Sequence, residues 1–308
     1  ARAIQGAADD LHVPAMTEGP GLDEAVFIRG NPHRLGEPAP RGFLEAIGGD
    51  ARVVTDSSSG RMALADWILR DDNPLTRRVY VNRVWQHVFG TGIAATPDDF
   101  GVLGSHPGLP GVLDWLAGWF AREGGHSTKA LLRLLVLSDT FALGGEPDAA
   151  SLQRDPVNRH LHYLPTRRME AEIIRDSALA VAGVLDPAVG GPSVPVHLTA
   201  FMDGRGKPGR NGPADGDRRR SIYIETRRNF LNPTLLSFDL PLPSTTIGRR
   251  TRSNVPAQSL ALLNDPFFTA MSGAWSARVG AMHPDPSARV RQMHLEAFAR
   301  EPTAEETD

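Results

Sequence analysis

Apolar residues recur at helical spacing along most of this chain, and polar punctuation falls where those runs end. Val81, Val84, Trp85 and Val88 stand at i, i+3, i+4 and i+7, the stripe of a helix that buries one face. Asn73 precedes the run as a cap, Pro74 takes the first helical position, and Gly90 and Gly92 close it. Leu64, Trp67 and Ile68 mark a helix behind Ser57-Ser58-Ser59. An ordinary cap accounts for that serine run; an anion site over Ser57 to Arg61 is the alternative. Val112 to Phe120 has a wide apolar face, and the helix carrying Leu131, Leu132, Leu134, Leu135 and Val136 is apolar on most sides, which places it centrally in the core.

The second half continues the pattern. Residues 166–185 predict a helix whose buried line is Ile174, Ala178, Val181 and Leu185. Its charged line, Arg168, Glu172 and Arg175 with Asp176 alongside, reads by default as a solvated ion-pair ladder. A short helix follows Asn232-Pro233. Another runs from Pro256 to Met271, with Leu260, Leu263, Phe267 and Met271 in register and a break at Asn264-Asp265-Pro266. The last spans roughly residues 286–300. Strand signals are few: Ala25 to Ile28 before the turn cluster Arg29-Gly30-Asn31-Pro32, and Ser221 to Glu225. The expected fold is therefore mainly α, an irregular multi-helix globular domain with one or two short β-hairpins and long loops. We expect one domain over residues 1–308, with an irregular arm over 1–24 and a mobile loop over 200–217 rich in Gly and Pro.

Composition narrows the function. The 308 residues are 41 % apolar and 22 % charged, enough for a real core. The net charge of −3 supplies no basic field to draw nucleic acid. The absence of cysteine removes disulfides, thiolate metal sites and thiol nucleophiles. No apolar run approaches the length of a membrane-spanning helix. The chain starts without Met and stops at EPTAEETD, where a helical pattern is beginning, as a piece of a longer protein would.

Candidate chemistry gathers on a few lines of polar residues. Thr76, Tyr80, Arg83 and His87 share one side of the first long helix, and Arg83 with His87 one turn on could hold an anion or carboxylate. Equally, Arg83 could pair with a structural Asp. Thr96-Pro97-Asp98-Asp99-Phe100-Gly101 has the make-up of a capped turn; its two carboxylates would otherwise suit acid–base or metal chemistry. His160 and His162 would share a strand face and could ligate a metal with a third group, but no accompanying His-x3-His or His-Glu-x2-His assigns one. Arg218-Arg219-Arg220 either grips phosphate or sulfate or forms an exposed edge. Trp115 and Trp119, four apart, suit packing better than a sugar platform. If the Arg168 to Asp176 face met the Arg83/His87 face, the two would wall a polar pocket.

Several stretches together carry a family resemblance: NPLTRRVYVNRVWQHVFGTGI, TPDDFG, SHPGLPGVLDWLA, RRMEAEIIRDSALAVAG, GGPSV, RRSIY, FDLPLPS and VPAQSLALLNDPF. FIRGNPHRLGEPAPRGFLEAI and SSSGRMALADWI match its beginning and REPTAEE its closing helix. The chain resembles, nearly end to end, the C-terminal planctomycete-specific domain of unknown function. That resemblance implies a module of a large exported protein, extracytoplasmic, with haem in a separate cytochrome c-like domain and no cofactor in this chain. The motif positions it implies are Arg83, His87, Asp98, His106, Arg168, Glu170, Arg175, Asp176, Arg220 and Asp239. The chain departs from the family pattern at Val88, where a second His is usual, and at His126, Phe141-Ala142 and Leu242.

Two functions follow as expectations. One is an enzyme module oxidising or processing a carbohydrate or sulfated glycan. His87 would be its general acid or base and Asp98 or Asp239 its carboxylate partner; Arg83, Arg168 and Arg175 would clamp an anion, with His106, Glu172 and Arg220 at the binding surface. The other is a non-catalytic binding or assembly module for a glycan or for neighbouring domains of the same polypeptide, its motif charges fixing helix register.

Overall fold

The structure, a computed structural model, describes residues 16–48 and 58–307. It is mainly helical, with a single antiparallel strand pair among the described residues. Within the stretch expected as one domain, contacts gather into two compact units divided between Leu164 and Pro165.

The N-terminal unit opens with the hairpin. β1 (Glu24–Phe27) pairs with β2 (Leu35–Ala39), Glu24 opposite Ala39 and Phe27 opposite Leu35. Arg29 and Gly30 turn the chain in the left-handed region, with φ of 53° and 75°. α1 (Arg61–Leu69) starts on Gly60 at φ 81°, so the N-cap position is a glycine and not a serine, although Ser59 Oγ accepts the Arg61 N–H at 3.4 Å; Ser57 lies outside the described residues. The irregular arm falls largely outside them as well.

α2 (Thr76–Phe89) is the centre of the unit. It starts later than expected, with Leu75 at the N-cap position and Pro74 in the turn before it; Asn73 Oδ1 holds that turn by accepting from the backbone N–H of Leu75 (3.0 Å) and Thr76 (3.4 Å). Gly90 ends it at φ 93°, a conformation that favours glycine. The expected stripe Val81, Val84, Trp85 and Val88 is buried against Leu113, Leu116 and Phe120 of α3 (Pro110–Ala121) and Leu131 and Leu135 of α4 (Thr128–Val136). α4 is less central than its composition suggests. It buries Leu131 and Leu135, but Leu132 and Val136 are exposed, because it packs on one side of α2 rather than between layers. Trp119 packs against the core while Trp115 is exposed.

Asp148 caps a short α5 (Ala149–Arg154). The segment His160-Leu161-His162 is not a strand. Asn158 and Leu161 take φ of 52°, and the Asp155 carboxylate accepts the N–H groups of Arg159 and His160, so the backbone turns instead of extending.

The C-terminal unit is built round α6 (Ala171–Val181), shorter at both ends than the 20 residues expected. Residues 165–170 lie outside the helix, with Glu170 extended, and Arg168 is engaged elsewhere, its guanidinium donating to the carbonyl of Ser253 and to Asn254 Oδ1. Gly183 at φ 76° closes the other end. The buried line is Ala171, Arg175 and Leu179, not the fully apolar line expected, and Arg175 is only 2 % exposed. Leu179 packs with Leu235 and Phe238, from α7 (Pro233–Ser237) and its C-cap, and with Phe267, Phe268 and Met271 of α9 (Pro266–Met282). Asp265 breaks α8 (Pro256–Asn264) from α9, as expected, and caps α9 through the N–H of Phe267. Leu260 and Leu263 on α8 are exposed, contrary to the expected register, because α8 turns Gln258 inward. α10 (Pro286–Phe298) and α11 (Ala304–Thr307) finish the chain.

Ser221 to Glu225 is not a strand either. Ser221–Tyr223 forms a single 3-10 turn, and only Ile224 makes a bridge, parallel to Val194. The glycine-rich loop over 200–217 is tied at its end: Leu198 N–H donates to Asn211 Oδ1 (2.6 Å) and Gly212 N–H to the Val196 carbonyl (3.0 Å).

Candidate functional site

The polar residues of α6 converge on the 3-10 turn that follows the glycine-rich loop. Ser221 donates its N–H (2.8 Å) and its hydroxyl (2.7 Å) to Asp176 Oδ1. Arg175 Nη1 donates to Ser221 Oγ (3.1 Å), to the Arg219 carbonyl (2.9 Å) and to Asp176 (3.3 Å), while Nη2 donates to the Asp215 carbonyl (2.6 Å). The guanidinium also lies 5.5 Å from the centroid of the Phe267 ring. Burial pulls its pKa down, and the nearby charges of Asp176 and Asp215 work against that fall. The arrangement is a buried cation whose donors are taken up by carbonyls, a hydroxyl and a carboxylate, the condition under which a buried charge is tolerated.

One turn earlier, Glu172 takes both branches of Arg250, from Nη1 (2.6 Å) and Nη2 (3.0 Å), and Glu170 lies 3.4 Å from the same Nη1. Burial works against the charge on Glu172, but its hydrogen bonds with Arg250 prevail and hold the carboxyl below its ordinary value.

Above these pairs opens a cavity of about 450 Å³, whose charged lining includes Glu170, Glu172, Asp176, Arg220 and Arg250. Ile173, Ile222, Leu235 and Leu240 give it apolar walls. The three arginines of 218–220 divide their work. Arg218 pairs with Asp215 (3.5 Å). Arg219 pins the neighbouring loop through the carbonyls of Gly190 (2.6 Å) and Ala188 (3.1 Å) and covers the Tyr223 ring at 4.0 Å. Arg220 is exposed and its guanidinium has no partner among the described residues.

Asp239 stands apart from this cavity. At φ 64°, its carboxylate accepts the N–H (2.7 Å) and hydroxyl (2.8 Å) of Ser253, and Gln258 Nε2 donates to that hydroxyl (3.1 Å). With Arg168 on the Ser253 carbonyl, three side chains hold the loop that carries Arg250 at Ser253. Asp239 and Arg168 thus support the position of Arg250. Sequence reasoning missed Arg250, Ser221 and Gln258: Arg250 sits in a polar run with no periodicity, Ser221 opens a strand-like alternation, and Gln258 lies in a helix read only for its apolar line.

In the N-terminal unit, Arg83 pairs with Asp98 at 3.0 Å, both side chains well exposed. His87 is exposed on the last turn of α2, and His106 is exposed with no hydrogen-bond partner among the described residues. Asp99 closes the expected turn by accepting the Gly101 N–H (2.8 Å). The expected charges therefore fall in three places: Glu172 and Arg220 line the C-terminal cavity, with Arg175 buried against its Asp176 and Ser221; Arg168 and Asp239 hold Ser253; and Arg83 and Asp98 pair on the flank of α2. Among the described residues no group of three or more His, Asp or Glu is placed to hold a metal ion, and no helix is long and apolar enough to cross a membrane.

No curated protein and no solved structure matches the chain. A family model does match, over residues 60–308, and on that match the chain belongs to the PSD1 family, proteins of unknown function (DUF1553).

Proposed function

We propose that the chain is a non-catalytic binding module, taking a polar ligand of the glycan class in the cavity of its C-terminal unit, within an exported, cytochrome-linked polypeptide. The observation that carries this reading is the commitment of the cavity's carboxylates. Glu172 is held by both branches of Arg250, and Asp176 by Ser221 and Arg175. A general acid or base must be free to exchange its proton with a substrate, and these groups are tied as acceptors. Mixed apolar walls and fixed, paired charges are the surroundings that orient hydroxyl-rich ligands without transforming them. Arg220, exposed and unpartnered among the described residues, is the group left to meet a sulfate or uronate carboxylate on such a ligand.

Titration calorimetry with a sulfated oligosaccharide and its desulfated counterpart tests the reading. Wild type is expected to bind the sulfated form more tightly. Arg220→Ala should weaken that binding by about tenfold, the loss of one charge-assisted contact, with an unchanged melting temperature. Absence of any binding heat across a glycan panel sinks the reading. Release of reducing ends, or bleaching of a redox dye in step with glycan, favours the enzyme instead.

A further inference from the structure

The N-terminal unit holds a second cavity, larger than the one just described and opposite in character. It encloses about 660 Å³ between α1, the start of α2 and the end of α3. Trp67, Val79, Tyr80 and Phe120 line it; Trp67 stacks on Phe43 at 5.1 Å, and Tyr80 and Phe120 stack on each other at 5.1 Å. Leu44 and Leu69 line it too, and 66 % and 68 % of their surface is left open to water.

Most of its polar neighbours are already occupied; Trp67 Nε1, buried with no hydrogen-bond partner among the described residues, is an exception. Asn73 holds the turn before α2, the Thr76 hydroxyl donates to the Ile68 carbonyl (2.8 Å), and the Tyr80 hydroxyl meets Thr128 at 2.5 Å. Arg70 bonds Asp72 (2.9 Å) and the Gly48 carbonyl (2.8 Å), Arg77 bonds Asp71, and Arg83 bonds Asp98. Each cation at the rim thus has its own counter-charge. A ligand bearing a charge would gain no unpaired partner here, whereas an uncharged one gains by covering apolar surface that water now wets.

We propose that this cavity binds an uncharged, flat aromatic molecule, packed against the rings of Trp67 and Tyr80, with Phe120 backing Tyr80. The site is independent of the glycan reading. Apolar walls supply the affinity, the stacked rings are braced so that they lose little freedom when a ligand arrives, and the closed ion pairs of the rim select against charge.

The test uses the whole chain and the dye 6-propionyl-2-dimethylaminonaphthalene, whose emission moves to the blue in apolar surroundings. Saturable binding with a blue shift is expected. Leu69→Glu sets a charge at the exposed mouth and Val79→Phe fills the space; each should weaken binding by about tenfold or more. Leu263→Glu, equally exposed but on α8, should leave it unchanged, and a sulfonated analogue of the dye should bind more weakly than the dye. No saturable shift overturns the proposal. So do equal affinities in the Leu69→Glu and Leu263→Glu variants, or tighter binding of the sulfonated analogue.

Discussion

A Cβ placed on Gly216 would sit 2.4 Å from Nη2 of Arg175. The glycine is therefore part of the shell that holds the buried guanidinium: its missing side chain lets the Asp215 carbonyl reach Nη2 at 2.6 Å. Gly216 also has φ of 60°, which a Cβ penalises independently. Gly216→Ala should lower unfolding free energy by about 2–4 kcal/mol, combining left-handed strain with displacement of a buried, paired charge. Urea denaturation checks this. Gly209→Ala is the control, since no atom lies within 4 Å of its added Cβ and the midpoint should not move.

Asn82 is fully buried in the N-terminal core, and its amide reads both backbone groups of Ala94. Nδ2 donates to the carbonyl at 3.0 Å and Oδ1 accepts the N–H at 2.8 Å. Asn82→Ala leaves a buried donor and a buried acceptor unpaired and should cost about 2–5 kcal/mol. Asn82→Leu, which restores volume without either bond, should recover little of it. Thermal melting of both variants separates lost packing from lost hydrogen bonding.

Glu296 gathers three donors: Arg278, Gln292 at 2.8 Å and Trp275 Nε1 at 2.6 Å. The Arg278 hydrogen bond leads, and together the three bring the carboxyl down from 4.5 to about 2 against the opposing effect of burial. Because the folded pKa lies below the unfolded one, the group's stabilisation is complete above the unfolded value of 4.5 and drains away as the pH falls toward 2. Glu296→Gln should therefore be less stable than wild type at neutral pH, with the gap closing across that acid window. Denaturant midpoints taken at several pH values measure it; a gap of constant size would mean that the carboxylate charge is not what the three donors stabilise.

The elements that announce themselves in sequence are those whose ends carry backbone chemistry. Asn73-Pro74 and Gly90 bracket α2 because a side-chain-held turn and left-handed φ are local demands, met by particular residue types. The Asp265-Pro266 break between α8 and α9 is legible for the same reason. What stays hidden depends on distant backbone. Arg175 looks like surface because its main partners are the carbonyls of Asp215 and Arg219, which any residue would supply. Residues 165–170, outside the helix, look helical because nothing in them reveals that Arg168 is bound to Ser253. The alternation in Ser221 to Glu225 imitates a strand, yet Asp176 draws Ser221 into a turn. The candidate site was thus half visible. Glu172, Arg175 and Arg220 stood out as charges, but Arg250, which organises two of the carboxylates, lay unremarked in a run of arginines.

Arg83 and Asp98 pose the opposite case, a pair that attracts attention in sequence and carries little weight in the fold. They meet at 3.0 Å with 48 % and 59 % of their side chains exposed. Water screens such a pair, and ordering two long side chains offsets much of the attraction. A double-mutant cycle of Arg83→Ala and Asp98→Ala should return a coupling of about 0.5 kcal/mol or less, shrinking further in roughly 1 M salt. Neither single variant should shift the melting temperature as Asn82→Ala does, although Asn82 is the neighbour of Arg83 in sequence. A coupling above about 2 kcal/mol would mean that the pair is shielded from solvent and fixes the turn against α2. A small coupling would mean that the mutual attraction of Arg83 and Asp98 contributes little to holding the turn against α2.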